Sequence, residues 1–336
     1  MEANKDNKKF GRPLIIYRIS DKKIFEILKE MIKYLIENDF IEYIYFENLK
    51  DINSKILFGN NEKEKYFKIF DLESQNKDNC CNLCIIVGGN NTCLWANNIF
   101  QDKDKPPFLS FHAGNLRFLN FYNPEEYKIV FDELYNTENY SFIPRKQVKC
   151  TLYEKKEDKN DDNDKDDIKN FDGYKNIISY YALNELTLEK RANMSHLYLF
   201  IKNHILAKIS SDGIICSTPT GSTAYSLSSG GPILHNNVDG IILSAICPFS
   251  LSFRPIVLPK DIVLRIKNNP EFHDSHSLIK MDGHEKGILK DNQYLEITYG
   301  EKSIDFIITK CIEKNLNKLW IEKISKSFGW NNAFSH

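Results

Sequence analysis

The sequence predicts an N-terminal Rossmann-like α/β domain, then a mostly-β, sandwich-like domain, with a C-terminal helical tail packing back on the first. Three observations carry this prediction. The N-terminal part alternates strand-like apolar runs with stretches of helical spacing, short apolar runs follow one another from Asn176 onward, and helical spacing returns after Cys311. The predicted boundaries are 11–146 for the α/β domain, joined by the tail 313–334, and 147–312 for the β-rich domain, with a charged insertion at 154–174.

Pro13 to Tyr17 is a short apolar run and reads as the first strand. Ser20 is placed to cap the helix that follows, Asp21 to Asn38. In it Ile24, Phe25, Leu28, Met31, Ile32 and Leu35 recur at three- and four-residue spacing. Ile41 to Phe46 reads as a second strand, and the stretch to Asn79 is charged and uninformative. Leu83 to Val87 is wholly apolar and runs into Gly88-Gly89-Asn90-Asn91-Thr92, followed by a helix through Leu94, Trp95 and Phe100 and a strand at Phe108 to Phe111. In such an alternation ligands sit at the carboxyl ends of the strands, where the Gly-Gly turn falls. Glu154 to Asn170 is nearly all Lys, Asp, Glu and Asn, so it lacks the apolar content to pack. Its aspartate spacing fails as a calcium loop, because Asn163 and Lys169 stand where Gly and Glu are needed. Strand-like runs follow at 177–181, 197–201, 205–209, 214–216, 241–246, 262–266, 294–298 and 304–309, and the tail carries Leu316, Leu319 and Ile324 at helical spacing, ending near Gly329-Trp330.

Composition narrows the function classes. The chain has 336 residues, 42% of them hydrophobic, which is ample for two cores, and a formal net charge of −1. Nothing in that charge points to nucleic acid or an anionic membrane as partner. No apolar run reaches bilayer length and no secretory segment opens the chain, so a cytoplasmic protein is expected. The eight cysteines show no disulfide spacing. Cys81 and Cys84 form one Cys-x-x-Cys without the second pair or histidines of a zinc finger.

One stretch organises the rest, Ser217-Thr-Pro-Thr-Gly-Ser-Thr-Ala-Tyr-Ser-Leu-Ser-Ser-Gly-Gly-Pro232. Gly213 to Cys216 leads in as a short strand, Pro219 and Gly221 impose a turn, and Ser222 to Ser228 can begin a helix. Such a strand–turn–helix junction brings backbone N–H groups and hydroxyls to one point, a cradle for an anionic or ribose-bearing ligand. No lysine follows the glycine, so it is not a Gly-Lys-Ser/Thr phosphate loop.

These stretches together resemble the ATP-dependent NAD kinase family, closest to its cytosolic eukaryotic form. Asp212-Gly213 through Pro232 is similar to the family's Gly-Asp-Gly…Ser-Thr-Pro-Thr-Gly-Ser-Thr-Ala-Tyr segment, and Ile246-Cys-Pro-Phe-Ser-Leu-Ser-Phe-Arg-Pro-Ile-Val257 to its Ile-Cys-Pro-His-Ser-Leu-Ser-Phe-Arg-Pro-Ile-Val block. Leu183-Asn184-Glu185, Asp282-Gly283, and Phe111-His112 with Gly114 to Leu119 resemble three further family elements in the same order. The resemblance implies transfer of the ATP γ-phosphoryl group, with Mg²⁺, to the 2′-hydroxyl of the adenosine ribose of NAD. It further implies a site in the crevice between the two domains and a homodimer or homotetramer.

Carried over residue by residue, the resemblance places Asn90, Asp212 and Asp282 in catalytic positions. Asn184, Glu185, Thr220, Ser222, Thr223, Ala224 and Tyr225 become dinucleotide contacts, and Gly88, Gly89, Asn91 and Thr92 form the ATP phosphate loop. No protein ligand for a metal is assigned. Arg254 reads as a buried structural ion pair, and neither His112 nor His235 receives a catalytic role. The chain departs from the family at Asn90, where the family has aspartate. An amide cannot take a proton and brings no charge to Mg²⁺. Asn91 and Arg117 also replace glycines. An active or slowed kinase is therefore expected, with a catalytically silent NAD(H)- or NADP(H)-binding regulatory homologue as the alternative. A lipid kinase is a remote third, disfavoured by Asn184-Glu185 and the Thr-Gly-Ser-Thr block.

Overall fold

The computed structural model describes residues 9–19, 21–47, 65–72, 81–101, 104–113, 118–156, 168–272 and 276–329. The chain divides into two compact units, Met1–Pro144 with Ile304–His336, and Arg145–Ser303. The return to the first unit thus comes at Ile304, inside a strand, nine residues earlier than the expected tail at 313.

The first unit is built on a parallel sheet of β1 (Pro13–Tyr17), β2 (Ile44–Phe46), β3 (Phe67–Ile69), β4 (Leu83–Gly88) and β5 (Phe108–His112), in the order β5-β4-β1-β2-β3. β4 and β5 are buried at every position, which explains why they read as continuous apolar runs without alternation. The helix α1 (Lys22–Glu37) starts from Asp21, whose carboxylate accepts from the Lys23 N–H at 2.7 Å. Asp21 is therefore the cap expected of Ser20, which lies outside the described residues. α2 (Asn90–Phe100) follows the Gly-Gly turn directly. α3 (Tyr127–Tyr135) seats Phe131 edge-on against Phe111 of β5, with ring centroids 5.9 Å apart. After Thr309 come a single turn, Lys310–Glu313, and α4 (Leu316–Phe328), which ends on Gly329 in the left-handed conformation that glycine favours.

The second unit is a pair of antiparallel sheets. One runs β7-β6-β17-β14-β9-β10, formed by β6 (Tyr140–Lys155), β7 (Tyr174–Ala182), β9 (Ser195–Ile201), β10 (His204–Ser211), β14 (Leu264–Asn268) and β17 (Gln293–Thr309). The other runs β13-β12-β11-β8-β15-β16, formed by β8 (Glu185–Lys190), β11 (Gly213–Ser217), β12 (Gly240–Ile246), β13 (Ile256–Pro259), β15 (Ser277–Met281) and β16 (His284–Leu289). Alternate residues such as Leu186, Leu188, Ile214, Cys216, Leu264 and Ile266 enter one core between the sheets.

The segment expected to be an unpacked insertion is anchored at both flanks. Its first two residues continue β6, and residues 168–174 bring Phe171 and Tyr174 around the buried Lys267. The Lys267 ammonium donates to the carbonyls of Asn170 (2.8 Å) and Ile168 (3.2 Å). These cation–π and carbonyl contacts compensate a charge that burial alone would penalise. Residues 157–167 lie outside the described residues. No helix among the described residues is long and apolar enough to cross a membrane.

Candidate functional site

In the second unit, strand register brings three of the singled-out stretches to one end of the second sheet. β8 pairs with β11 so that Glu185 faces Ser217, and with β15 so that Leu186 faces Met281. Asp282 and Gly283 then form the two-residue turn between β15 and β16, both at positive φ (50° and 80°). A hairpin of this kind demands Asp-Gly or Asn-Gly. The turn also turns the Asp282 carboxylate back onto the chain: Asn184 N–H (2.7 Å), Leu183 N–H (2.8 Å) and Glu185 N–H (3.2 Å) all donate to it. Asp282 is thus committed to holding residues 183–185 in place.

Thr218 ties the other side. Its hydroxyl donates to the Leu183 carbonyl at 2.6 Å and accepts from Gly221 N–H at 3.1 Å, while its own N–H donates to the Asn184 carbonyl at 2.8 Å. Gly221 passes so close that a Cβ would lie 2.6 Å from the Asn184 carbonyl carbon, a clash only glycine avoids. Ser222 is fully buried and closes the loop, donating to Pro219 O (2.6 Å) and accepting from Leu234 N–H (3.0 Å). The helix expected over Ser222 to Ser228 is a 3-10 turn, Thr220–Thr223, followed by a single α-turn, Tyr225–Ser228, with Ala224 joining them. Thr220 is buried, Thr223 is half-buried, and Tyr225 is left 38% exposed.

Glu185 is the electrostatic centre of this arrangement. It is 6% exposed, and its Oε2 is buried without a hydrogen-bond partner. Burial, then the neighbouring Asp282 carboxylate, pushes its pKa up to about 8. An orphaned buried carboxylate oxygen beside the buried Asn184 is what a hydroxyl-bearing ligand would satisfy.

Asp212 is not part of the cluster. It lies beyond the opposite end of β11, five residues from Ser217, or roughly 17 Å of extended chain, and its carboxylate is paired with Lys190 at 2.7 Å. Arg254 forms no buried ion pair. It is exposed and folds back on its own loop, donating to the carbonyls of Leu251 (2.6 Å) and Phe253 (3.2 Å). His235 accepts from Asn237 N–H at 3.2 Å.

In the first unit, Gly89 caps α2 and Asn90 is its first residue. Thr92 packs on Gly88, where a Cβ would come within 2.8 Å of the Thr92 Cβ, so the turn is drawn tight against the helix. The first N–H groups of an eleven-residue helix then point out of the turn at the end of β4, with the favourable end of the helix dipole for an anion. The Asn90 side-chain oxygen accepts from Leu119 N–H at 3.1 Å, which leaves its NH₂ as a donor.

The 118–121 segment is itself held by a residue the sequence reading passed over. Lys323 of α4 is buried, donates to the carbonyls of Asn120 (2.8 Å) and Phe118 (3.3 Å), and lies 4.6 Å from the Phe121 ring centroid. Thr218 was likewise passed over, although it sits within the hydroxyl-rich stretch. Arg117 lies outside the described residues. Among those described, no group of three or more His, Cys, Asp or Glu side chains could hold a metal. The Gly88–Thr92 turn, with Asn90 in place of a carboxylate, carries no acidic side chain that could ligate a hard cation.

The chain matches the family model for the ATP-NAD kinase N-terminal domain over residues 14–140 and that for the ATP-NAD kinase C-terminal domain over residues 183–309. It is 30% identical over 331 residues to an ATP-NADH kinase of Saccharomyces cerevisiae, covering 95% of this chain and 63% of that protein. To a mitochondrial NADH kinase of Schizosaccharomyces pombe it is 32% identical over 255 residues, covering 74% of this chain and 59% of that one. The chain thus spans about three fifths of the length of these curated relatives. A crystal structure of yeast NADH kinase complexed with NADH has the same fold, with a TM-score of 0.79 at 24% identity, covering 97% of this chain and 89% of the other. With both domain models matched in order, and the Asn184-Glu185, Ser217–Tyr225 and Asp282 elements joined in one place, the chain belongs to the ATP-NAD kinase family.

Proposed function

We propose that this protein transfers the γ-phosphoryl group of ATP to the 2′-hydroxyl of the adenosine ribose of a nicotinamide dinucleotide. The observation that carries the reading is the orphaned Glu185 oxygen beside Asn184, on a loop fixed from one side by Asp282 and from the other by Thr218. A ribose edge supplies the missing hydrogen bonds, and Thr223 and Tyr225 offer a hydroxyl and an aromatic face from the adjoining turn. Because Asp282 already accepts three N–H donors, it acts by positioning Asn184 and Glu185 rather than by removing the ribose proton. Asp212, paired with Lys190, has no part in the transfer.

On the phosphate side, Gly88 and Gly89 let the triphosphate approach the backbone, and the N-terminus of α2 faces its charge. Phosphoryl transfer passes through a loose transition state, so positioning and charge stabilisation do most of the work. The loop has no general base, because Asn90 accepts from Leu119 N–H and cannot take a proton. A missing base costs about 10² to 10⁴ in rate, which slows the transfer without abolishing it. Mg²⁺ enters with the nucleotide phosphates. Homo-oligomeric assembly and a cytoplasmic location complete the proposal.

The test is NADP(H) formation by purified protein given MgATP with NAD⁺ and, separately, NADH, since relatives are named for both acceptors. Asn90 also favours a second reading, a silent dinucleotide-binding homologue. That reading holds if the wild type binds NAD⁺ or NADH without turnover and Asn90→Asp restores it. Absence of binding at millimolar dinucleotide would sink both.

A further inference from the structure

We propose that Arg18, just past the carboxyl end of β1, is the side chain that grips the triphosphate of ATP in the first unit. The proposal rests on the kinase reading above and adds to it the fixed positive charge that the Gly88–Thr92 turn lacks.

Strand order gives Arg18 its place. From β1 the chain steps outward through β2 and β3, returns to the other side of β1 with β4, and continues away from it to β5. The direction of winding therefore reverses between β1 and β4. In open parallel sheets ligands sit in the crevice beside such a reversal, outside the carboxyl ends of the strands. Gly88 and Gly89 leave the sheet on the β4 side of that crevice. Arg18 leaves it on the β1 side, with its N–H donating to the Val87 carbonyl at 3.2 Å. Neighbouring strands run ~4.8 Å apart, so Arg18 and the Gly-Gly turn are immediate neighbours.

Charge makes the position matter. A triphosphate carries several negative charges, and a helix N-terminus answers with about half of one positive charge. Arg or Lys side chains ordinarily supply the rest. Among the described residues of the two loops that border the crevice, Arg18 alone has a fixed positive charge. In the first turn of α1, Lys23 is held by Glu125 at 2.6 Å, and Lys22 is exposed.

The guanidinium is held, but lightly. Nη1 donates to the Tyr17 carbonyl at 2.9 Å, the group lies 5.6 Å from the Trp95 ring centroid, and Nη2 reaches the Glu47 carboxylate only at 3.4 Å. Glu47 is itself committed to Trp95, whose indole N–H donates to both carboxylate oxygens at 2.9 and 3.0 Å. Trp95 belongs to α2, the helix that starts at the Gly-Gly turn, so this bracket ties Arg18 to the element that meets the phosphates. The Arg18 side chain stays 55% exposed. A long surface contact of this kind is worth little, and exchanging it for a forked, charge-assisted bond to phosphate oxygens is favourable.

The experiment is calorimetry on the full chain with MgATP and, separately, NAD⁺. Arg18→Gln should weaken MgATP about ten- to hundredfold, the loss expected for a hydrogen bond between charged groups, and leave NAD⁺ affinity unchanged. Arg18→Lys should recover part of the loss, because lysine keeps the charge without the fork. Lys22→Gln, which removes the same charge four residues on, should leave MgATP affinity at the wild-type level. Unchanged MgATP affinity in Arg18→Gln, an equal loss in Lys22→Gln, or a parallel loss of NAD⁺ affinity would overturn the proposal. A wild type that binds MgATP in this Arg18-dependent way yet transfers nothing upholds it and refutes the kinase reading alone. No MgATP binding at millimolar concentration would remove both.

Discussion

Replacing Glu185 by glutamine separates what the residue costs the fold from what it gives the site. Burial and Asp282 raise its pKa from 4.5 to about 8. Below pH 4.5 the group is protonated in both folded and unfolded chains and contributes no difference. As pH rises, the unfolded chain releases the proton first, so the folded form binds more protons and stability falls until the folded pKa is passed. At about 1.4 kcal/mol per tenfold, the wild type loses on the order of 4 kcal/mol across that window. Glu185→Gln cannot ionise and is spared the loss. For a unit of this size that is roughly 10 °C in Tm near pH 8, shrinking toward zero near pH 5. The assay is thermal unfolding followed by circular dichroism at half-unit pH steps, wild type beside variant. A constant difference in Tm between pH 5 and 8 would refute the reasoning, because it would mean Glu185 is already ionised in the fold. The same variant should lose dinucleotide affinity in calorimetry, so stability and binding move in opposite directions.

Asn90→Asp should speed NADP(H) formation, up to the 10² to 10⁴ typical of a general base, and an unchanged kcat would show that proton removal does not limit the rate. Asp282→Ala strips the acceptor from three N–H groups at once, and urea unfolding should show a loss of about 3–5 kcal/mol. Asp282→Asn, which tolerates the positive φ and keeps one oxygen, should lose clearly less. Lys323→Met keeps the apolar stem and removes two bonds to carbonyls. It should cost about 2 kcal/mol and speed hydrogen exchange at the Leu119 amide, with Lys323→Arg recovering part of both.

Much of the fold was legible because its strands are buried on both faces or alternate cleanly. β4 and β5 appear as apolar runs, and α1 shows its spacing at Leu28, Met31, Ile32 and Leu35. What escaped was short or mixed. α3 has only nine residues, four of them Tyr, Phe or Val, which are poor intrinsic helix formers. β6 carries Pro144 and alternating polar residues across the boundary between the units. At the candidate site, strand pairing joins Asn184 and Glu185 to the distant Asp282, whereas Asp212, only five residues before Ser217, lies at the far end of β11, because a strand carries residues apart faster than any other element. At Asp282-Gly283 the turn itself aims the carboxylate at residues 183–185. Lys323 had no local signature at all. One lysine in a charged tail looks like any other until tertiary packing buries it.

The split of the first unit around residues 145–303 fixes an order of events during synthesis. The strand that sets Phe306 beside Phe108, and the helix that brings Lys323 to the 118–120 carbonyls, are translated only after the whole second unit. At about 5–20 residues per second the early strands must wait on the order of ten seconds or more for them. The contiguous β-rich unit can meanwhile close on its own. A chain truncated after Ser303 and held on the ribosome by a linker long enough to clear the exit tunnel should therefore display a protease-resistant second unit on an unfinished first one, with residues 183–185 already held by Asp282.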